Sequence, residues 1–291
     1  MVREIDEFIV SCEARGLSVR TCQWYRWHLE GFADWLGDRL LSTAALREYV
    51  ASLRQAGWSK ASLRGAARTL KVWCRWLHEE GHADADHGER LAMPRKEEHW
   101  PKVISVPDFE RMLETCNPAT LAGRRNRALV LFLADTGCRL GELPPMRWSH
   151  LIGGAALRVR GKGDKDRLVY LSPATVEALA AMRADHPDSD VVWWGQRGPM
   201  TENAIYLALR RLAKRAGCSG PTNPHSFRHF FGSQMLANGA DLETIRRLMG
   251  HSDISTTRIY THITDPVAQR KHAQHSPVAR LRPTDNQKAT Y

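Results

Sequence analysis

Apolar residues recur at helical spacing through the first eighty positions, and no alternating stretch interrupts them. Ile5, Phe8, Ile9 and Cys12 form one stripe, ended by Gly16. Residues three and four apart share a helix face, so the stripe predicts a short amphipathic helix. Ser18 or Thr21 can cap a second helix to about Leu36, with Tyr25, Leu29, Phe32 and Leu36 on one side. Thr43 opens a third, carrying Leu46, Tyr49, Val50 and Leu53. Ser59 opens a fourth, to about Glu79, with Leu63, Ala67, Leu70, Cys74 and Leu77 along one face. The pattern predicts an all-α unit over residues 1–85.

From residue 81 the periodicity stops, and Gly81, Gly88, Pro94 and Pro101 follow, so a linker is expected over 86–103. A second unit is expected over 104–263. Ser105 stands before Pro107 and Asp108 at a helix start. "RNRALVLFLADTG" predicts a buried helix ending at Gly137. "ALRVRGKGDKDRLVYLS" alternates apolar and polar residues on both sides of a Gly-Lys-Gly-Asp turn, the pattern of a β-hairpin. Further helices are expected from about 173, 201, 225, 241 and 253. The fold class is therefore mainly α: an all-α first unit, then a mostly helical unit with a small antiparallel sheet. The tail 264–291 holds Pro266, Pro277 and Pro283 and few large apolar residues, so a disordered end and a segment that docks on another protein surface are both open readings. "VAQRKHAQH" is its one stretch able to form a helix.

Composition agrees with two globular units: 291 residues, 43% hydrophobic and 25% charged. The N-terminus has no apolar core of a secretory signal. The longest uncharged apolar run, "ALVLFLA", is too short to span a bilayer, so no membrane partner is expected. Six cysteines form no CxxC pair, which predicts scattered thiols in a reducing cytoplasm, with neither a disulfide framework nor a zinc knuckle.

Lys plus Arg number 42 against 32 Asp plus Glu, a net charge of +10 that suggests a polyanionic partner. Most of the excess lies after Arg95. In the first unit the basic residues are organised instead. Lys60, Arg64, Arg68, Lys71 and Arg75 lie on one face of the fourth helix, and no acidic residue occurs between Glu48 and Glu79. A solvated face usually mixes signs, whereas a single-signed stripe must offset its self-repulsion. The stripe predicts a surface that tracks phosphates.

Several fragments could carry chemistry. "HSFRHFF" sets His225 and Arg228 three apart on a helix, "TGCRLGEL" sets Arg139 past a glycine turn, and "RGKGDKDR" sets Lys162 at a hairpin tip. "LMGHSDISTTRIYTH" holds His251 and Tyr260. Three readings of that last stretch compete: a helix with a packed tyrosine, a metal site at His251 and His262, or a nucleophilic Tyr260 beside His251. Together the fragments suit phosphoryl transfer. Two guanidinium forks can hold the non-bridging oxygens of one phosphate, where charge grows in the transition state. A tyrosine can attack phosphorus, histidines can move protons near neutral pH, and a lysine can protonate a leaving oxygen.

These residues resemble the tyrosine recombinases, also called the phage integrase family. The family's TGxRxxEL-like segment is matched by Arg139 with Glu142, its hairpin lysine by Lys162, its HxxR helix by His225 and Arg228, and its LxGHxxxxTTxxYxH segment from Leu248 through His262. The order and every spacing fit. Phe227, Phe230 and Cys138 stand where other residues are common, beside the active positions. The resemblance implies a catalytic set of Arg139, Lys162, His225, Arg228, His251 and Tyr260. It implies a core-binding first domain and double-stranded DNA with a specific recombination site as partner. It implies a monomer in solution that assembles as a tetramer on paired sites, in the cytoplasm at the nucleoid. Tyr260 would form a 3′-phosphotyrosine, and since that link keeps the bond energy, neither ATP nor a metal is required. The overall layout is similar to Xer recombinases and short integrases, with helix 1 beginning too early for a separate arm-binding domain. A type IB topoisomerase-like enzyme and a non-catalytic DNA-binding regulator of the same fold are the alternatives.

Overall fold

Hydroxyl side chains start three of the first four helices. The computed structural model describes residues 1–96, 102–161 and 166–250, and the chain divides into two units, Met1–His99 and Trp100–Tyr291. In the first unit α1 spans Val2–Ala14 and α2 spans Val19–Leu36, where the Ser18 hydroxyl accepts from the Thr21 amide. Ser42 caps α3, Thr43–Gln55, and Ser59 caps α4, Lys60–Glu79, in the same way. Each cap satisfies one amide that the helix itself leaves unpaired. The predicted apolar stripes meet in one core of Phe8, Leu29, Phe32, Leu46, Leu70 and Trp73.

The chain after α4 departs from the sequence expectation. The stretch expected to begin a linker at residue 86 is instead packed on the first unit as far as Met93. Leu91 enters the core, and the Lys71 ammonium donates to the carbonyls of Gly88, Glu89 and Leu91 at 2.7, 2.8 and 3.1 Å. The physical reason is that an irregular segment lying on a protein surface has backbone carbonyls to satisfy, and a lysine with three donors can gather them.

The second unit is built around α6, Leu121–Thr136, whose Leu129, Val130, Phe132 and Leu133 are fully buried. Before it, α5 spans Val106–Glu114. After it, β1 (Leu151–Ile152), β2 (Ala156–Arg160) and β3 (Asp166–Tyr170) form an antiparallel sheet in that order. The β2–β3 register runs from Ala156 opposite Tyr170 to Arg160 opposite Asp166, so Leu157, Val159 and Val169 face the core. Helix α7 follows at Pro173–Arg183. A two-residue pairing then joins β4 (Trp194–Gly195) and β5 (Gly198–Pro199). The chain continues through α8 (Glu202–Arg215), α9 (Pro224–Ala237) and α10 (Leu242–Met249). Helices α7 and α9 both pack on α6. A small cluster of Phe231, Leu236, Ile245 and Met249 fastens α10 to α9. The fold is mainly α with small antiparallel sheets, as the sequence predicts. Among the described residues no helix is long and apolar enough to cross a membrane.

Candidate active site

The turn after α6 sets the first arginine. Gly137 takes a left-handed conformation, φ 59° and ψ 25°, and its amide closes the helix on Leu133. A Cβ there would lie 2.6 Å from Phe231 Cδ1, so both the backbone angle and the space require glycine. Two residues later Arg139 caps a single 3-10 turn, Leu140–Glu142. Its backbone amide donates to Glu142 Oε2 at 2.7 Å, and its Nη1 donates to Glu142 Oε1 at 3.2 Å. The Arg139 side chain remains 40% exposed, so part of the guanidinium is open to a ligand.

The second arginine comes from α9. Asn223 caps this helix, accepting from the Ser226 amide, and Pro224 occupies its first turn. One turn in, Arg228 is almost completely buried. It donates from Nη1 to the Gly137 carbonyl and from Nη2 to the Met249 carbonyl, both at 2.6 Å. It thus joins the end of α6, which leads to Arg139, to the end of α10, which leads to His251.

The end of α10 is where these groups converge. Three arginines from three elements donate to three consecutive carbonyls. Arg167 Nε reaches Leu248 at 3.2 Å, Arg228 Nη2 reaches Met249, and Arg139 Nη2 reaches Gly250 at 3.4 Å. The last carbonyls of a helix lack partners within it and carry the negative end of its dipole, so cations gather there. Gly250 closes the helix with φ 62°.

His225 stands in the first turn of α9, exposed at its edge, with its ring 4.3 Å from that of His229 and edge-on to it. Desolvation by packing, then the charges of Arg228 and Arg139, lower its pKa, so His225 is neutral at pH 7. His229 is buried, and burial first, then His225 and Arg228, push its pKa down to about 4. A neutral imidazole beside two guanidinium groups can accept a proton.

The structure therefore brings Arg139, His225 and Arg228 together. Lys162, His251 and Tyr260 lie outside the described residues, as does the helix expected from 253. Sequence reasoning missed Arg167 on β3, which pairs with Glu142 and is described further below. In the first unit the five stripe residues do share α4, but not one role. Lys60, Arg68 and Arg75 are exposed, whereas Lys71 holds the carbonyls of residues 88–91 and Arg64 donates to the Pro94 carbonyl. Two of the five, Arg64 and Lys71, thus hold the chain that follows α4.

Comparison with known proteins fits this geometry. The sequence profile described as the phage integrase family matches residues 102–266. Tyrosine recombinase XerD of Rhizobium meliloti is 34% identical over 286 residues, covering 91% of this chain and 92% of that protein. Tyrosine recombinase XerC of Xanthomonas axonopodis pv. citri is 31% identical over 280 residues, covering 89% and 92%. Among solved structures, a lambda integrase (75–356) dimer bound to a COC′ core site aligns with a TM-score of 0.75 at 18% identity, covering 88% of this chain and 96% of that one. That likeness concerns the fold. The profile match over more than half the chain, and relatives above 30% identity along almost all of it, establish that this chain belongs to the phage integrase family, the tyrosine recombinases.

Proposed function

We propose that the chain, a site-specific DNA recombinase by family, cleaves and rejoins duplex DNA through a covalent bond to Tyr260. The Tyr260 hydroxyl oxygen attacks a backbone phosphorus, and the bond from phosphorus to the 5′-oxygen breaks. A 3′-phosphotyrosine and a free 5′-hydroxyl result. The tyrosine proton passes to a histidine, for which neutral His225 is one acceptor and His251 the other. The 5′-oxygen takes a proton from Lys162. A 5′-hydroxyl from a partner strand then reverses the step. Arg139 and Arg228 hold charge that develops on the non-bridging oxygens. The exchange of one phosphodiester for another conserves bond energy.

The observation that carries this reading is the convergence of Arg139 and Arg228 on the carboxyl end of α10, one residue before His251, with His225 near enough to both for their charges to lower its pKa. Lys60, Arg68 and Arg75 of the first unit are assigned to phosphate contacts along the same duplex. The partner is double-stranded DNA bearing a specific site. The chain acts as a monomer when free and as a tetramer on paired sites, in the cytoplasm at the nucleoid. The domain division is a core-binding domain, a connecting segment, a catalytic domain and a tail.

Randomly nicked fragments of the host's genomic DNA test this reading, because a nick near the scissile bond lets the short strand leave and traps the adduct. Wild type is expected to give detergent-resistant protein–DNA bonds at one recurring sequence. Tyr260→Phe is expected to bind DNA within a few-fold of wild type and give none. Adducts from the Phe variant, or none from wild type, overturn the assignment.

A further inference from the structure

Arg167 is held by Glu142 and by the Leu248 carbonyl, yet the reaction above gives it no task. It lies on β3 opposite Val159, on the same inward side as Val169, and its side chain is only 12% exposed. Its Nη1 and Nη2 donate to Oε1 and Oε2 of Glu142 at 2.7 and 2.8 Å, a two-point pair. Its Nε donates to the Leu248 carbonyl. Its shaft lies against Gly250, where an added Cβ would stand 3.0 Å from Arg167 Cδ. Glu142 is the residue that also holds the Arg139 amide and Nη1.

We infer that Arg167 is a positioning residue, which ties the strand that follows Lys162 in sequence to the Glu142–Arg139 pair and to the end of α10 before His251. The inference rests on the recombinase reading of those residues. Two physical consequences follow from the contacts. First, three elements meet on one planar group, so the fork fixes their relative placement, and a lysine's single ammonium cannot reproduce it. Second, Arg167 occupies one lone pair on each oxygen of Glu142. Without it, the buried carboxylate has Arg139 as its one remaining cationic partner among the described residues and draws that guanidinium onto itself, away from a phosphate. Burial alone would raise the Glu142 pKa, but the hydrogen bonds and charge of Arg167, followed by Arg139, hold it below the ordinary value.

The test uses the full chain and the nicked genomic fragments recovered as adducts by wild type. Arg167→Lys keeps a cation beside Glu142, and the double variant Glu142→Gln with Arg167→Gln removes the buried pair while an amide oxygen stays in place to accept from Arg139, whose charge is partly exposed. Melting temperature checks the fold of each, and filter binding to the same fragments checks affinity. A misplacement of about 1 Å costs on the order of 100-fold in rate. The inference therefore expects both variants, folded and binding within a few-fold of wild type, to form adduct about 100-fold more slowly. It also expects Arg167→Lys to shift the acid limb of its pH–rate profile upward, since Glu142 then protonates more readily. Adduct formation within three-fold of wild type in either folded variant overturns it and leaves Arg167 a stabilising residue. Should wild type form no Tyr260-dependent adduct on these fragments, the recombinase reading fails instead, so the two failures are distinct.

Discussion

Arg228 donates to the carbonyl of Gly137 at 2.6 Å across 91 positions of sequence, and the acceptor is the residue that turns the chain toward Arg139. The same guanidinium holds Met249 at the end of α10. Hydrogen bonds to charged groups contribute about 1.5–3 kcal/mol each, and a buried carbonyl left without a donor costs a comparable amount. Arg228→Ala is expected to destabilise the second unit by about 3 kcal/mol or more, through two stranded carbonyls as well as lost packing. Arg228→Lys is expected to lose less, because an ammonium reaches one carbonyl and not both. Urea unfolding of the two variants measures the difference, and equal midpoints would show that the fork is not what holds these turns.

His229 predicts a pH window. Its pKa is about 4 in the folded chain and about 6.5 when unfolded. The unfolded chain therefore binds the proton first, and stability is fully present above about pH 6.5. It falls as the pH drops from there toward 4, by about 3 kcal/mol in total, and this contribution is flat below. The buried Glu142 acts lower down, because its folded pKa lies below its unfolded value, so its contribution is lost under about pH 4.5. Unfolding free energy measured between pH 7 and 5 should thus fall in wild type and fall less steeply in His229→Asn, which keeps the contributions of His225 and His28, whose pKa values are also lowered. A wild-type profile flat over that range would contradict the buried neutral imidazole.

The first unit yields a contrast within one helix. Lys71→Ala removes the donor to three carbonyls and is expected to lower stability by about 2 kcal/mol. Arg68→Ala and Arg75→Ala, at exposed positions, are expected to leave stability within about 0.5 kcal/mol. They should each lower the slope of log K against log salt by about 0.9, equally for specific and random duplexes. An unchanged slope in the double variant returns these residues to an ordinary solvated surface.

That contrast marks where sequence legibility ended. The α4 stripe was readable because a 3.6-residue period places five cations on one face, but the period says nothing of what lies over that face. The carbonyls of residues 88–91 come from an irregular segment, which has no pattern to read. Helix starts were legible at Ser59 and Ser105, and at Ser18 as one of two candidates, because capping chemistry is local. Gly137 was legible as a helix end for the same reason. The three arginines at α10 were not. Arg139 and Arg228 could be named from spacing, but their meeting depends on how α6, α9 and α10 pack. Arg167 did leave a signal that went unused: it alternates in phase with Val169, and an arginine on the inward side of a strand requires a buried acceptor. The pairing of Trp194–Gly195 with Gly198–Pro199 is too short for any period to reveal.

The general acid can be separated from its neighbours by changing one atom of the DNA. An alkoxide is a poor leaving group unless a proton arrives as it departs. Two lysines between β2 and β3 in sequence could supply it, Lys162 and Lys165, both outside the described residues. Gly161 and Gly163 flank Lys162 and give the backbone room to approach a duplex, whereas Lys165 stands between Asp164 and Asp166, which can occupy its ammonium. Lys162 is therefore the proposed acid. A substrate with sulfur in place of the 5′-bridging oxygen leaves as a thiolate and needs little protonation. Lys162→Ala should cleave ordinary DNA very slowly and the sulfur substrate nearly as fast as wild type. Arg139→Ala should stay slow on both, since its task is on the non-bridging oxygens. Rescue of Lys165→Ala with none for Lys162→Ala would move the role to Lys165. Rescue of neither would leave the proton to His225 or His251 and give Lys162 only the placement of DNA.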